Sequence, residues 1–188
     1  FAPNTELIVK RCIHTSADFD YADNLCFSQD AAVKAMAAIK RGVSVVTDTN
    51  MAKAGINKVS LAKYGGTVHC FMADPDVAEA ARLHGTTRAS ESMKKAAGLG
   101  EPFIYAIGNA PTALVSLYDL IQEEKVKPEL IIGVPVGFVN VVQSKELIMS
   151  ADVPYIVARG RKGGSNIAAC IVNALLYMID NDRYYWTD

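Results

Sequence analysis

Hydrophobic residues in this chain alternate between short runs rich in β-branched and aromatic side chains and longer stretches with helical spacing. The short runs predict five strands, which span residues 43–47, 67–72, 102–107, 129–134 and 154–158. The stretches between them have the apolar spacing of helices. This alternation is typical of βαβ units, so we predict an α/β fold built around a parallel sheet.

Several local signals predict where helices begin. Ser28 or Asp30 can cap the run at 31–41, and Pro75 and Pro111 suit the first turns of two further helices. Ser165 is expected to cap the last helix, whose run at 167–179 is apolar nearly all round. Such a helix is predicted to be buried, either inside the domain or at a subunit interface. The aromatic and polar tail at 181–188 fits either a docking arm or a frayed terminus.

Length and composition narrow the class of protein. A chain of 188 residues with a formal net charge of -1 predicts one domain over 1–188, with neither a nucleic-acid footprint nor a basic membrane patch. The cysteines form no CxxC pair and are expected to be reduced; they are Cys12, Cys26, Cys70 and Cys170. Without a transmembrane run or a signal peptide, the sequence predicts a cytoplasmic protein.

The segments that follow the predicted strands are the expected place for a ligand. Parallel sheets bind ligands at the carboxyl ends of their strands. These segments span 48–51, 73–76, 108–112, 135–140 and 159–165, and they are rich in glycine, proline and small polar residues. Such loops suit carboxylates or phosphates. The segment at 159–165 matches no nucleotide fingerprint, so an ordinary strand-to-helix turn remains its alternative interpretation.

Three histidines differ in their surroundings. His69 lies within an apolar strand pattern and His84 near a helix end, so structural roles are favoured for both. His14 is flanked by Arg11 and Thr15, and a histidine among hydrogen-bonding groups is a candidate acid or base; a structural role is the alternative. No second histidine or cysteine lies at ligand spacing, so no metal site is expected.

Six segments carry a resemblance to a known family. They are RCIHTSAD (11–18), VTDTNMAKAGI (46–56), TRASESM (87–93), GNAPTAL (108–114), GVPVGFVNVVQSK (133–145) and GRKGGSNIAA (160–169). In this order, they resemble the precorrin-8X methylmutase family of cobalamin biosynthesis. The resemblance implies an isomerase that moves a methyl group between adjacent carbons of ring C in a corrin precursor, giving hydrogenobyrinate or cobyrinate.

The resemblance also implies an architecture and an assembly. The fold would have three layers around a doubly wound, mostly parallel five-stranded sheet of flavodoxin-like type. The protein would be a homodimer with active sites near the subunit interface, and it would need no organic cofactor. Family members carry a further N-terminal segment ahead of a strand that leads to the histidine, and this segment is expected to be missing here.

Residue by residue, the resemblance assigns the catalytic acid to His14. Arg11 and Arg88 fall on positions expected to meet carboxylates of the polycarboxylate substrate, although Arg88 could also be an ordinary surface arginine. The other expected substrate-binding residues are Thr15, Asp48, Met51, Asn109, Thr112, Gly137, Ser144, Lys145, Gly163, Gly164 and Ser165.

Charge balance makes a further prediction about the pocket. A chain without net basic character needs its cations gathered near the substrate, and the candidates are Arg11, Arg88, Lys145, Arg161 and Lys162. Two other functions remain open from the residues alone. One is a non-catalytic tetrapyrrole-binding or carrier protein on the same scaffold, and the other is a nucleotide- or flavin-binding protein that uses the same crevice.

Overall fold

The computed structural model describes residues 1–182, so most of the tail at 181–188, and with it the prediction made for that tail, lies outside the described residues. Six strands form one sheet in these residues. They are β1 Leu25–Phe27, β2 Ser44–Thr47, β3 Val68–Cys70, β4 Phe103–Ile107, β5 Leu130–Gly133 and β6 Tyr155–Ala158. The order across the sheet is β1-β6-β5-β4-β2-β3. All five predicted strands are confirmed in position, but a sixth strand was missed.

The missed strand, β1, makes the sheet mixed. It runs antiparallel to β6, with Leu25 opposite Ala158 and Phe27 opposite Ile156, while β2 to β6 are all parallel to one another. This three-residue strand lies between helix α2 and the start of α3 with no longer β-rich run around it, and its partner lies far along the chain. The prediction of a five-stranded sheet was therefore wrong by one edge strand.

Helices cover the connections between strands. They are α1 Glu6–Ser16, α2 Tyr21–Asn24, α3 Ala31–Lys40, α4 Asn50–Gly55, α5 Lys58–Ala62, α6 Pro75–His84, α7 Arg88–Gly98, α8 Pro111–Gln122, α9 Val141–Met149 and α10 Ser165–Asp180. The predicted starts at Pro75 and Pro111 are confirmed. No helix of residues 1–182 is long and apolar enough to cross a bilayer.

Three expectations about the helices need correction. Asp30 precedes α3, but neither its side chain nor that of Ser28 caps the helix; the Ser28 hydroxyl bonds Tyr155 of β6 instead. Gly164 precedes α10, so Ser165 is the first helical residue and not its cap. His14 lies in the last turn of helix α1, whereas the family resemblance implied a strand leading to it.

Two hydrophobic clusters lie on opposite faces of the sheet and confirm a three-layer α/β arrangement. Val45 and Ile104 belong to the cluster with α1, α3 and α10. Their chain neighbours Val46 and Tyr105 belong to the cluster with α7, α8 and α9. Both faces of the central strands are apolar because both are covered. Helix α10 is buried within this chain, against α1, α3 and α4.

The strand order reverses between β2 and β4. The connection after β2 leads outward to β3, and the chain then crosses back to place β4 on the other side of β2. At such a reversal the loops that follow the two strands leave the sheet in opposite directions. A crevice therefore opens at the carboxyl ends of these strands. Open α/β sheets bind their ligands in a crevice of this kind, so it is the candidate site.

Candidate active site

A buried carboxylate joins the two strands at the reversal point. Asp48, at the end of β2, accepts hydrogen bonds from the backbone N–H groups of Gly108, Asn109 and Ala110 after β4, at 2.9, 2.9 and 2.7 Å. Burial raises the pKa of Asp48, while these three donors favour its ionised form. Because its oxygens bind the backbone, a substrate contact for Asp48 stays a prediction.

Two glycines lie where the loops pack so closely that there is no space for a side chain. A Cβ at Gly108 would lie 2.7 Å from the carbonyl oxygen of Gly164. A Cβ at Gly163 would lie 2.0 Å from the carbonyl oxygen of Val134, and the N–H of Gly164 donates to that same oxygen at 2.8 Å. The segments after β4, β5 and β6 therefore converge at one edge of the sheet.

Residues at the starts of α4 and α10 also lie at this edge of the sheet. The hydroxyls of Thr49 and Ser165 share a hydrogen bond of 2.8 Å, which links the end of β2 to the start of α10. Met51 lies in the first turn of α4 with 73% of its surface exposed, and Asn109 is also exposed. Both can therefore meet a bound molecule at the crevice.

Lys145 fixes the position of the segment after β6 through two hydrogen bonds. Its side chain is fully buried, and its ammonium donates to the carbonyl oxygens of Gly160 at 2.8 Å and Lys162 at 2.9 Å. Burial lowers the pKa of Lys145 to about 8. The buried hydroxyl of Ser144 bonds the carbonyl of Val141. The structure thus engages both side chains internally, and their predicted contact with substrate stays a prediction.

The helix that carries His14 is tied to the same segment. His14 is exposed in the last turn of α1, which ends where Ala17 takes a left-handed conformation with φ 56°. Immediately beyond, Asp18 and Asp20 both pair with the ammonium of Lys162, at 2.7 and 2.5 Å, and this pairing raises the pKa of Lys162. The ion pairs bring the His14 end of α1 to the loop after β6.

Two other predicted residues lie on the α1 surface that faces α10. The Thr15 hydroxyl donates to the Cys170 sulfur at 3.3 Å. The guanidinium of Arg11 stacks over the Tyr177 ring, 4.4 Å from its centroid. Tyr177 lies about two turns further along α10 than Cys170. In this structure Arg11 therefore packs on an aromatic ring, and its contact with a substrate carboxylate stays a prediction.

A large groove lies on the other side of the crevice. Arg88 is the first residue of α7 and is exposed, and Thr87 beside it donates to the hydroxyl of Thr112 at 3.3 Å. These helix starts open into a groove of about 1320 Å³ between α7, α8 and α9, whose walls include Thr112 and Ser144. The first turns of α7 and α8 therefore contribute to its walls, and helix N-termini favour anionic groups.

The loop after β5 exposes apolar side chains that sequence reasoning did not select. Phe138 is 82% exposed and Val139 is 79% exposed. The guanidinium of Arg161 lies 5.8 Å from the centre of the Phe138 ring, and the N–H of Gly137 bonds the Arg161 carbonyl. Two adjacent large apolar residues in a glycine-containing loop are a sequence signal from which this exposed pair could have been predicted.

The five predicted cations are not gathered as free charges. Lys145 is buried, Lys162 is paired with two aspartates and Arg11 stacks on an aromatic ring. Of these five, Arg88 at the start of α7 and Arg161 in the loop after β6 have exposed guanidinium groups. Across the described part of the chain, no group of three or more histidine, cysteine, aspartate or glutamate side chains could hold a metal ion.

A three-layer α/β domain with an ordered crevice at the carboxyl edge of its parallel strands belongs to the class of small-molecule enzymes and binding proteins. Within this class, the family model for precorrin-8X methylmutase matches residues 1–178. The chain belongs to this family, and it is an isomerase of cobalamin biosynthesis.

Individual relatives agree with the family match. The cobalt-precorrin-8 methylmutase of Salmonella typhimurium is 46% identical over 177 residues, which cover 94% of this chain and 82% of the relative. That of Priestia megaterium is 44% identical, covering 95% and 79%. A solved precorrin-8X methyl mutase from Thermus thermophilus has a TM-score of 0.90 at 36% identity and covers 100% of this chain and 90% of that one.

Proposed function

We propose that this protein moves a methyl group between adjacent carbons of ring C of precorrin-8X or cobalt-precorrin-8, giving hydrogenobyrinate or cobyrinate. The observation that carries the proposal is the whole-length family match together with His14, an exposed imidazole tied to the crevice loops through Asp18 and Lys162. Relatives named cobalt-precorrin-8 methylmutase and relatives named precorrin-8X methylmutase both match the chain. The proposed substrate class therefore covers both the cobalt form and the metal-free form.

In this mechanism His14 acts as a general acid. Protonation of the ring C nitrogen makes the macrocycle electron-poor and favours a sigmatropic shift of the methyl group. Such a step needs one positioned proton donor and a pocket of matching shape, with no nucleophile on the protein. The exposure of His14 at the end of α1 supports this role, because a macrocycle can reach it without unfolding the helix.

Substrate carboxylates would bind around the crevice. The exposed guanidinium of Arg88 at the start of α7 and the nearby hydroxyls of Thr87 and Thr112 are suited to this contact. Arg161 and the exposed ring of Phe138 offer a charged and an apolar contact on the loop side. A flat macrocycle rimmed with carboxylates fits such a mixture of apolar surface and separated cations.

The test is single-turnover conversion followed by visible absorption, with precorrin-8X and cobalt-precorrin-8 assayed in parallel. His14→Ala is expected to lower turnover about 10²- to 10⁴-fold while product binding changes little. His84→Asn alters an exposed histidine at the end of α6 and keeps an N–H group that can replace the Nδ1 bond to the Glu91 carboxylate, so it is the matched control and should keep the parent rate. Parent turnover by His14→Ala with normal product binding would show that His14 is not the acid.

Turnover, together with thermal stability measured with each ligand, separates the other functions. A carrier protein would bind the corrin products and convert no substrate. A nucleotide- or flavin-binding protein would gain thermal stability from nucleotides, whereas this proposal expects it from hydrogenobyrinate or cobyrinate only. Either result would contradict the proposal.

We also propose a cytoplasmic homodimer of flavodoxin-like architecture. The parallel strands follow the order β3-β2-β4-β5-β6, which has the flavodoxin pattern once the edge strand β1 is set aside. The described cysteines are unpaired thiols, as expected in a reducing compartment. The exposed apolar pair Phe138 and Val139 beside the crevice supports a subunit contact there.

A further inference from the structure

A nearly buried carboxylate lies next to the turn that joins α6 to α7. The side chain of Glu91, in the first turn of α7, is 5% exposed. Its Oε1 atom accepts a hydrogen bond from the Thr86 hydroxyl at 2.6 Å and another from the Lys94 ammonium at 3.1 Å. The same oxygen lies 3.2 Å from Nδ1 of His84. One carboxylate oxygen, which sequence reasoning did not select, therefore contacts three polar side chains.

The three partners of Glu91 come from different parts of the chain around this turn. His84 is the last residue of α6, Thr86 lies in the turn, and Lys94 lies one turn further along α7. Residues 84–88 are all exposed, so apolar packing contributes little to holding the turn in place. The hydrogen bonds to Glu91 therefore fix the turn against α7.

Glu91 carries its charge at neutral pH. The bond from Thr86 lowers the pKa of Glu91 to about 2, and the contacts with Lys94 and His84 act in the same direction, although burial opposes them. An anion would repel the carboxylates of the substrate, and here the charge of Lys94 offsets it. Direct contact between Glu91 and the substrate is therefore disfavoured.

The turn itself carries residues suited to meet the substrate. Thr87 lines the groove between α7, α8 and α9, and its hydroxyl caps α7 by accepting the N–H of Ser90 at 3.1 Å. The same hydroxyl donates to that of Thr112 at the start of α8. Arg88 follows as the first residue of α7. The position of the turn therefore decides where the Arg88 guanidinium can reach.

We propose that Glu91 is a positioning residue for the methyl shift: it fixes the turn between α6 and α7, and through this turn it places Arg88 to bind a substrate carboxylate. The inference rests on the proposed function and on the substrate contact proposed there for Arg88. Because Glu91 acts on binding, its loss should weaken the binding of substrate and leave the rate of the bound complex nearly unchanged.

Hydrogen exchange without substrate tests whether Glu91 orders the turn. Glu91→Gln keeps the size of the side chain and removes its charge, so amide exchange over residues 84–90 is expected to become about tenfold faster than in the parent. Glu79→Gln is the matched control, since Glu79 is an exposed residue of α6 that pairs with Arg82, and it should exchange as the parent does. Unchanged exchange in Glu91→Gln would overturn the proposal.

Product binding tests whether this order reaches the substrate. Titration with hydrogenobyrinate or cobyrinate, followed by visible absorption, is expected to give a Kd about tenfold higher for Glu91→Gln than for the parent or Glu79→Gln. The single-turnover rate at saturating substrate should stay within about twofold of the parent. This pattern is the opposite of that expected for His14→Ala. If Glu91→Gln binds both products as the parent does, or loses turnover alone, the positioning role is wrong.

A double-mutant cycle tests whether Glu91 acts through Arg88. When Arg88→Ala is already present, adding Glu91→Gln should change the Kd for product by less than about twofold. A further tenfold loss, on the order of that in the parent background, would mean that Glu91 acts by another route and would overturn the proposal. A parent that binds neither product would contradict the proposed function and the role of Arg88 together, whereas the hydrogen-exchange result concerns Glu91 alone.

Discussion

Buried charged side chains hold the crevice loops of this protein in place. Asp48 accepts hydrogen bonds from three backbone N–H groups of the segment after β4, and the ammonium of Lys145 donates hydrogen bonds to two carbonyl oxygens of the segment after β6. A buried charge is costly unless it is hydrogen-bonded, and here the backbone supplies the partners. Both residues therefore order the loops that a ligand would meet.

The buried Lys145 predicts a pH dependence of stability. Its pKa falls from 10.5 to about 8 on folding, so between these values the unfolded chain binds more protons. Relative to Lys145→Met, the free energy of unfolding of the parent should rise by up to about 3 kcal/mol as the pH increases from about 8 to 10.5. Urea unfolding at several pH values measures this difference.

Substitution of an exposed lysine separates the effect of burial from the effect of removing one positive charge. Lys127 is exposed, so Lys127→Met should leave the pH dependence of the parent unchanged over the same range. A flat difference between the parent and Lys145→Met would mean that Lys145 stays charged throughout, with its two carbonyl bonds offsetting the cost of burial.

Sequence matching selected Asp48 and Lys145 but could not show where their side chains point. Motifs record residue identity, and the same carboxylate or ammonium can bind a substrate or a neighbouring loop. The partners of Lys145 are 15 and 17 residues away and those of Asp48 are about 60 away, so only folding brings them together. For His14, by contrast, the flanking residues already marked a candidate acid.

At the level of elements, the turn from β6 into α10 packs against the end of β5. A Cβ at Gly163 would lie 2.0 Å from the Val134 carbonyl oxygen, far inside any normal contact. Backbone cannot move aside as a flexible side chain can. The glycine therefore sets how closely this turn approaches β5.

We expect Gly163→Ala to destabilise the fold by about 3 kcal/mol, because the added methyl group forces the turn away from β5. Gly98→Ala in α7 is the control, since its Cβ would meet no atom within 4 Å. Alanine there should be neutral or gain up to about 1 kcal/mol from helix propensity. Thermal unfolding of both variants measures the contrast, and an equally stable Gly163→Ala would contradict the packing argument.

Elements with a clear local pattern were predictable, and the edge strand β1 was not. Pro75 and Pro111 fix backbone angles that suit a first helical turn, and both helices begin there. Strand β1 has three residues and is paired with β6, more than 120 residues later. Its existence depends on that pairing, which leaves no periodic signal in the sequence.

For the whole molecule, the exposed apolar loop after β5 predicts an interface. Replacing both Phe138 and Val139 by aspartate should convert a dimer into monomers, because two charges would be buried in an apolar contact. Val59→Asp is the control, since Val59 is 77% exposed on α5. Sedimentation velocity measures the assembly. A monomeric parent, or a variant that dimerises as the parent does, would contradict the proposed dimer.

The sequence by itself determined the α/β class, the positions of five strands and the family, because these depend on local periodicity and on ordered motifs. Tertiary structure alone decided the sixth strand and the inward direction of Asp48 and Lys145. Each of these joins parts of the chain that are far apart in sequence, and packing and hydrogen bonding settle such contacts only when the sheet and its two helical layers close together.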